Sequence, residues 1–492
     1  MTATAPDDFN PVRVPDICQL PARELAALIR RRALSSREVV SAFLQQVDAL
    51  NPRFNAIVSM VPREQVLAQA DAADAAVARG DALGALHGLP QAIKDTAPAR
   101  GIRSTFGSPL FADNVPTVDA VMVQRMREAG AIFIGKTNVP EFGLGSHTYN
   151  PVFGATGNAW DPRFSAGGSS GGAAVALALR MLPVADGADM GGSLRNPAGF
   201  NNVLGFRPSQ GRVPFWPRGD AFLGQLTTEG PMGRSADDLA LLLSVQSGYD
   251  ARAPLSLDGT VPDWHAQLDT DLAGTRIGWL GDLGGHLPFE DGILALCESA
   301  LARFGAAGVR VEAIRPEFDW ARIWRSFTVL RHFSLGGKHG PAYDRPASRA
   351  LMKPELQWEV AQYRALSVND VQQALADRTA WYDALLDLFG QHDFLALPTA
   401  QVFPFAVEEH WPREIAGRAM SSYHRWMEVV TPGTLSGCPV ISVPVGFDAR
   451  GLPMGMQIIG RPRGDLSVLQ LTHLYERLSP WLQMAPPALR TD

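Results

Sequence analysis

The chain has 492 residues, 46% of them hydrophobic and 19% charged, with a formal net charge of −6. This composition supplies a large buried core and excludes a disordered chain. The mild negative charge, without a basic stripe or a run of like charge, excludes the electrostatic footprint of a nucleic-acid binder.

Residues 21–50 read as two helices. In the second, Ser35 and Glu38 have capping-box spacing, and Val39, Val40, Phe43, Leu44 and Val47 recur at helical period. Asn51-Pro52 is the expected stop. Residues 63–79 are alanine-rich and helical, closed by Arg79-Gly80. Val118 to Ala129 predicts a helix, and AIFIGKTN after Gly130 a short buried strand. Ala173 to Arg180 is a helix of small residues, and LPVADGAD a strand running into the turn at Met190. Arg276 to Leu280 and Val309 to Ala313 read as strands around a helix near Asp291 to Ala306. Residues 317–390 are helical and aromatic, with Trp320, Trp324, Phe327, Phe333, Trp358, Tyr363 and Trp381. Strands return at 394–399, 439–447 and 454–460, before a last helix at Leu466 to Leu478.

This alternation predicts an α/β fold, a large mixed sheet covered by helices on both faces. Length alone suggests two or three domains. Strands on both sides of 317–390 instead suggest one domain, 21–485, carrying a helical excursion. Residues 1–20 and 486–492 are then tails. Cys18, Cys297 and Cys438 form no CxxC, so no disulfide framework or zinc site is expected. No window approaches 18 uninterrupted apolar residues, and MTATAPDDFNPVRVPD has no apolar centre. A soluble, cytoplasmic protein without membrane partner is expected.

The chemistry concentrates in GGSSGGAAVALALRMLPVADGADMGGSLRNPA, residues 167–198. Ser169 and Ser193 each follow a Gly-Gly pair, 24 positions apart. Such turns expose backbone N–H groups beside a hydroxyl, as a serine nucleophile with an oxyanion requires. Upstream, Lys94 follows the apolar run of GLPQAIKD and is one of only four lysines among 44 basic residues. Arginine cannot give up its proton in a protein, whereas a buried lysine can. Lys94 is therefore a candidate base, or else a surface lysine or one paired with Asp95. The same segment allows other readings. Gly168-Ser169-Ser170-Gly171-Gly172 satisfies G-x-S-x-G with Ser170 as nucleophile and His424 as a downstream base, but DPRFSAG is no strand to support that elbow. No Gly-Lys-Ser/Thr follows GGSSGG, so a phosphate loop fails. Glycines that permit close packing, with serines filling turns, remain the plain structural account.

The ordered set breaks the tie. GGSSGGAAVAL, GADMGGSLRNPAG and VLGFRPSQGRVP closely resemble the signature of the amidase signature family. HGLPQAIKD, AGAIFIGKTNVPEFG, NPVFGATGNAWDP, GPMGRSADDLALLL, GCPVISVPVGF and GLPMGMQIIGRPRGDL resemble its other segments, so the likeness spans roughly residues 20–480. The resemblance implies a Ser-cisSer-Lys triad: Lys94 as base, Ser169 as bridging serine after a cis bond, and Ser193 as nucleophile. It places the oxyanion hole on the backbone N–H groups of Met190, Gly191, Gly192 and Ser193. Ser170, Asp189 and Arg195 take supporting positions. Met190 stands where many members carry Thr or Ile, a change that spares a backbone donor.

The implied activity is C–N hydrolysis of an amide through an acyl-enzyme, without metal or cofactor. The aromatic excursion, with Phe215 and Trp216, points to hydrophobic or aryl amides, with carbamates (urethanes) and esters as further substrates of one nucleophile. Buried core aromatics explain the same residues equally. Two other roles belong to the family: the glutaminase-type A component of a tRNA-dependent amidotransferase and an inactive scaffold. The tyrosine pair and Ala-Ser-Ser-Asn run typical of the amidotransferase component are not visible, and an intact Lys94, Ser169 and Ser193 argue against a scaffold. The expected partner is a small amide or carbamate, with a homodimer through the helical N-terminus left open.

Overall fold

Two buried C-terminal strands carry the centre of the molecule. In this computed structural model, which describes residues 14–259 and 261–489, Val440–Phe447 and Pro453–Gly460 pair antiparallel, Val440 opposite Ile459 and Ile441 opposite Ile458. Their β-branched residues suit a pleated, two-sided interior. Around them forms an eight-stranded sheet. Its spatial order is Arg310–Ala313, Arg276–Trp279, Phe394–Pro398, Pro453–Gly460, Val440–Phe447, Leu204–Arg207, Thr228–Gly233 and Ala185–Asp189. The first three strands are parallel and the remaining pairings antiparallel, so the sheet is mixed. A second, three-stranded sheet orders Ile57–Val58, Ile132–Thr137 and Pro90–Lys94.

Phe394 pairs with Ile277 and Ala396 with Trp279, so strands on either side of the helical excursion lie in one sheet. The excursion comprises Trp320–Tyr343, Pro346–Ala350, Pro354–Ala365 and Val368–Gln391. It is docked by Trp381, which is fully buried and donates its Nε1–H to the Pro432 carbonyl at 2.9 Å. Leu335, Met352, Leu356 and Val360 pack with Leu144 in a small separate cluster, joining the excursion to the loop after the second sheet.

The capping box forms as expected, with Ser35 and Glu38 bonding each other's backbone N–H. Asn51-Pro52 does not stop that helix. It runs Ser36–Phe54, holds Pro52 in its last turn and ends at Asn55 in the left-handed conformation (φ 50°). Pro52 removes one N–H donor without ending the helix, and the left-handed Asn55 ends it instead. Gly171–Ala178 is wholly buried. At Gly172 the backbone of Asn138 and the Ala56 carbonyl leave no room for a Cβ, which accounts for the glycine pair. Leu204–Arg207 and Thr228–Gly233 are strands without a clear sequence signal, because their glycines and a proline hide the alternation. Cys18, ahead of the 21–485 span, and Ala488 and Leu489, behind it, are buried. All three cysteines are free.

Trp381→Ala is expected to destabilise the protein by about 3–5 kcal/mol, the usual cost of emptying a large buried aromatic site. Calorimetry would read this as a lowered unfolding midpoint. An unchanged midpoint would mean the excursion is not docked through this residue.

Candidate active site

Lys94 ends the strand Pro90–Lys94. Its side chain enters the interior, with 1% of the residue exposed. Nζ lies 2.8 Å from Ser169 Oγ and 2.8 Å from Ser170 Oγ, and donates to the Ala188 carbonyl at 2.9 Å. The backbone N–H of Lys94 is held by the Asp186 carboxylate at 3.1 Å. No carboxylate lies within salt-bridge distance of Nζ among the described residues. Burial strips the ammonium of water, and the more distant Asp186, Asp189 and Glu229 offset this only in part. The lysine pKa is thereby lowered to about 7. The alternative pairing of Lys94 with Asp95 is absent, since Asp95 bonds the N–H and hydroxyl of Thr105.

Ser169 follows a cis peptide bond after Gly168. Ser170 begins the helix Gly171–Ala178, and its N–H donates to the Ser193 carbonyl at 3.2 Å. That bond ties the two Gly-Gly-Ser turns together. Ser193 sits at the mouth of the second turn, 8% exposed. Lys94, Ser169, Met190, Gly191 and Ser193 all line one cavity of about 490 Å³. Ser170 is fully buried and off this lining. His424, its partner in the elbow reading, stacks on Tyr423 with Nε2 3.8 Å from Glu359. The elbow constellation therefore does not assemble.

The turn 190–193 is shaped by Asp189. Its carboxylate accepts the N–H of Gly192 at 2.9 Å and of Leu194 at 3.1 Å, and takes a two-pronged bond from Arg195, both contacts 3.0 Å. The Arg207 guanidinium adds a bond to the Asp189 carbonyl. Burial alone would raise this carboxyl, but Arg195 and Arg207 outweigh it and hold it well below the usual carboxylate range. The N–H groups of Met190, Gly191 and Ser193 donate to no protein acceptor among the described residues, whereas that of Gly192 is spent on Asp189. Gly192 has φ +89°, with Val430 pressed against it, and a Cβ on Gly191 would lie 2.9 Å from Phe327 Cζ. The left-handed backbone at 192 requires Gly192, and a side chain at 191 would have to displace the Phe327 ring.

Phe142, Leu144, Phe215, Phe333, Leu335 and Tyr363 give the cavity apolar walls. Of the aromatic residues singled out in the excursion, Phe333 and Tyr363 reach it. Trp320, Phe327 and Trp381 are buried in the core. Phe215 lines it, while Trp216 lies under the Arg252 guanidinium at 4.9 Å.

The sequence profile of the amidase family matches residues 38–469. The chain belongs to the amidase signature family. It is 34% identical to an acylamidase of Rhodococcus erythropolis over 95% of this chain and 97% of that protein. It is 32% identical to the A component of the glutamyl-tRNA(Gln) amidotransferase of Moorella thermoacetica over 96% and 99%. The structure of a bacterial aryl acylamidase of the family superposes with TM-score 0.88 at 30% identity, covering 94% of this chain and 97% of that one. 6-Aminohexanoate cyclic dimer hydrolase with bound substrate follows at 0.87, 25% identity, 97% and 100%. This member of the amidase family has no helix, among its described residues, long and apolar enough to cross a membrane.

Several site residues escaped the sequence reading. Gln457 accepts from Arg195 Nη1 at 2.6 Å, and Thr434 Oγ1 from Nη2 at 2.8 Å. Asp186 and Glu229 flank Lys94 from two adjacent strands. A usable signal was the lone polar residue in MGMQIIG, which an apolar strand has no reason to keep unless a partner awaits it.

The burial of Lys94 has a cost to folding. In the unfolded chain a lysine keeps its proton to about 10.5, but here it loses it near 7. The cost is therefore full below about pH 7 and fades as pH rises toward the unfolded value. Lys94→Met is expected to gain stability relative to the parent at neutral pH, with the gain shrinking between pH 7 and pH 10. Urea unfolding at several pH values measures it, and a difference that grows with pH would contradict a neutralised lysine.

Proposed function

We propose that this protein is a serine amidase acting on hydrophobic or aryl amides, with Lys94, Ser169 and Ser193 as its triad. The observation that carries the reading is the 2.8 Å approach of Lys94 Nζ to Ser169 Oγ on a cavity that also contains Ser193. A neutral lysine has two N–H groups and one lone pair. Donation to Ala188 O and Ser170 Oγ uses the two N–H groups, leaving the lone pair for the Ser169 hydroxyl.

In the proposed reaction Ser193 gives its proton to Ser169, which passes its own to Lys94. The Ser193 oxygen attacks the carbonyl carbon of the amide. The resulting oxyanion is received by N–H groups among Met190, Gly191 and Ser193; Gly192 shapes the turn instead of donating. A single such donor is typically worth about 3 kcal/mol. The proton returns through Ser169 to the departing amine as the C–N bond breaks. Water, activated by the same relay, then cleaves the acyl-enzyme to acid. Asp189 and Arg195 hold the turn, and Ser170 orients Lys94. Every step draws on side chains and backbone N–H groups of this chain.

The apolar and aromatic walls support an acyl or aryl group as the bound part. The acylamidase and aryl acylamidase relatives support the same choice. Carbamates and esters present a carbonyl of similar shape and are proposed as further substrates. Relatives that are amidotransferase A components support a second reading, a glutaminase acting within a larger complex. The apolar walls offer a surface that an acyl or aryl group fills, and so favour the first. Action on small molecules in the cytoplasm, without nucleic acid, belongs to the proposal.

Ser193→Ala and Lys94→Ala are each expected to lower kcat/KM on an anilide by at least about a thousandfold, and the double variant by little more, because triad members act as a unit. Full activity in Lys94→Ala would remove the lysine from the relay. On a panel of an anilide, an aryl carbamate, an aryl ester and free glutamine, the anilide is expected to turn over and glutamine to be spared. Release of ammonia from glutamine alone would favour the glutaminase reading.

A further inference from the structure

Glu229 is a carboxyl group that the proposed relay does not use. It lies on the strand Thr228–Gly233 directly opposite Ala188, whose carbonyl accepts Lys94 Nζ. The residue is 2% exposed and lines the substrate cavity beside Lys94 and Arg218. Its Oε2 is buried with no hydrogen-bond partner. An ionised carboxyl with one oxygen buried and unpartnered is costly in a protein interior.

The surrounding charges sharpen the point. From the strand Ala185–Asp189, Asp186 faces both Glu229 and Lys94. Asp189 faces Lys94 but is neutralised by Arg195 and Arg207. Lys136, from the strand Ile132–Thr137, faces Asp186 and Asp95. Arg218, itself near Asp220, and Lys94 are the cations that face Glu229. Burial, reinforced by Asp186, raises the Glu229 carboxyl to about 8, against the smaller pull of Arg218 and Lys94.

We propose that Glu229 is a positioning residue that works as a neutral acid, keeping its own proton so that Lys94 beside it can go without one. Ionised Glu229 would hold a proton on Lys94 by attraction. It would also set a second negative charge in the same cavity as the tetrahedral oxyanion. Either effect opposes attack by Ser193. The inference rests on Lys94 acting as the base.

The test is the pH dependence of kcat/KM on an anilide, from about pH 5 to about pH 10, read for shape and not amplitude. The parent is expected to lose activity on the alkaline side as Glu229 ionises. In Glu229→Gln, an uncharged isostere, that fall should move up by at least about one pH unit or vanish. Arg218→Gln leaves Glu229 in place but removes a cation facing it, and should also move the fall upward. It keeps the test open if Glu229→Gln does not fold. A parent and a folded Glu229→Gln with the same alkaline midpoint would overturn the proposal, as would an Arg218→Gln midpoint that stays or moves down. A merely structural Glu229 would lower activity at every pH and leave the midpoint alone. Failure of the underlying triad is seen separately, as turnover that survives Ser193→Ala or Lys94→Ala.

Discussion

The arrangement depends on one buried ion pair, Asp189 with Arg195. Both side chains are fully shielded from solvent. A charge removed from water in this way must be met at every lone pair, or it costs several kcal/mol. Asp189 meets this with two guanidinium bonds and two backbone N–H groups of the turn that follows it. Arg195 meets it with Gln457, Thr434 and the Val430 carbonyl. The turn bearing Ser193 is therefore bolted to the central C-terminal strands. An Arg195–Gln457 bond thereby joins segments 262 positions apart in the chain. They are two halves of one electrostatic joint.

Lys94 is treated in the opposite manner. Among the described residues it receives no adjacent counter-ion, only hydroxyls and a carbonyl. An interior that satisfied it with a close carboxylate would fold more stably and keep the proton in place. Here the acidic groups are arranged by distance and strength of pairing. Asp189 is cancelled by arginines, Asp186 is occupied by a backbone N–H, and Glu229 Oε2 is left unpartnered. The same sheet that holds the turn thus also grades the charge around the lysine.

Above this floor the cavity is built by parts of the chain that differ most in kind. Phe142 and Leu144 come from the loop after the second sheet, Phe215 from the segment after GRVP, and Phe333, Leu335 and Tyr363 from the helical excursion. The excursion is held to the body by Trp381 and by the Leu144 cluster. Changes in its pocket-facing positions can therefore alter the walls without touching the joint at Asp189. This separation is a physical route by which one reactive floor can serve different amides.

Much of this was legible in one dimension. The buried strands at 439–447 and 454–460, the capped helix after Ser35, and the Gly-Gly-Ser turns follow from local rules of periodicity, capping and backbone freedom, which act within a few residues. The scarcity of lysine marked Lys94, because only lysine among the strong cations can lose its proton when buried. Tertiary structure alone decided the rest. Which aromatic residues reach the cavity depends on how the excursion helices rotate onto the body, so Phe333 and Tyr363 face it while Trp381 does not. Asp186, Glu229 and Gln457 gain their meaning from strand register and cross-sheet distance, and no local pattern carries those. That Gly192 bonds Asp189 while, among the described residues, nothing accepts from the N–H groups of Met190, Gly191 and Ser193 is a matter of where each N–H points, and burial against distant segments sets that direction.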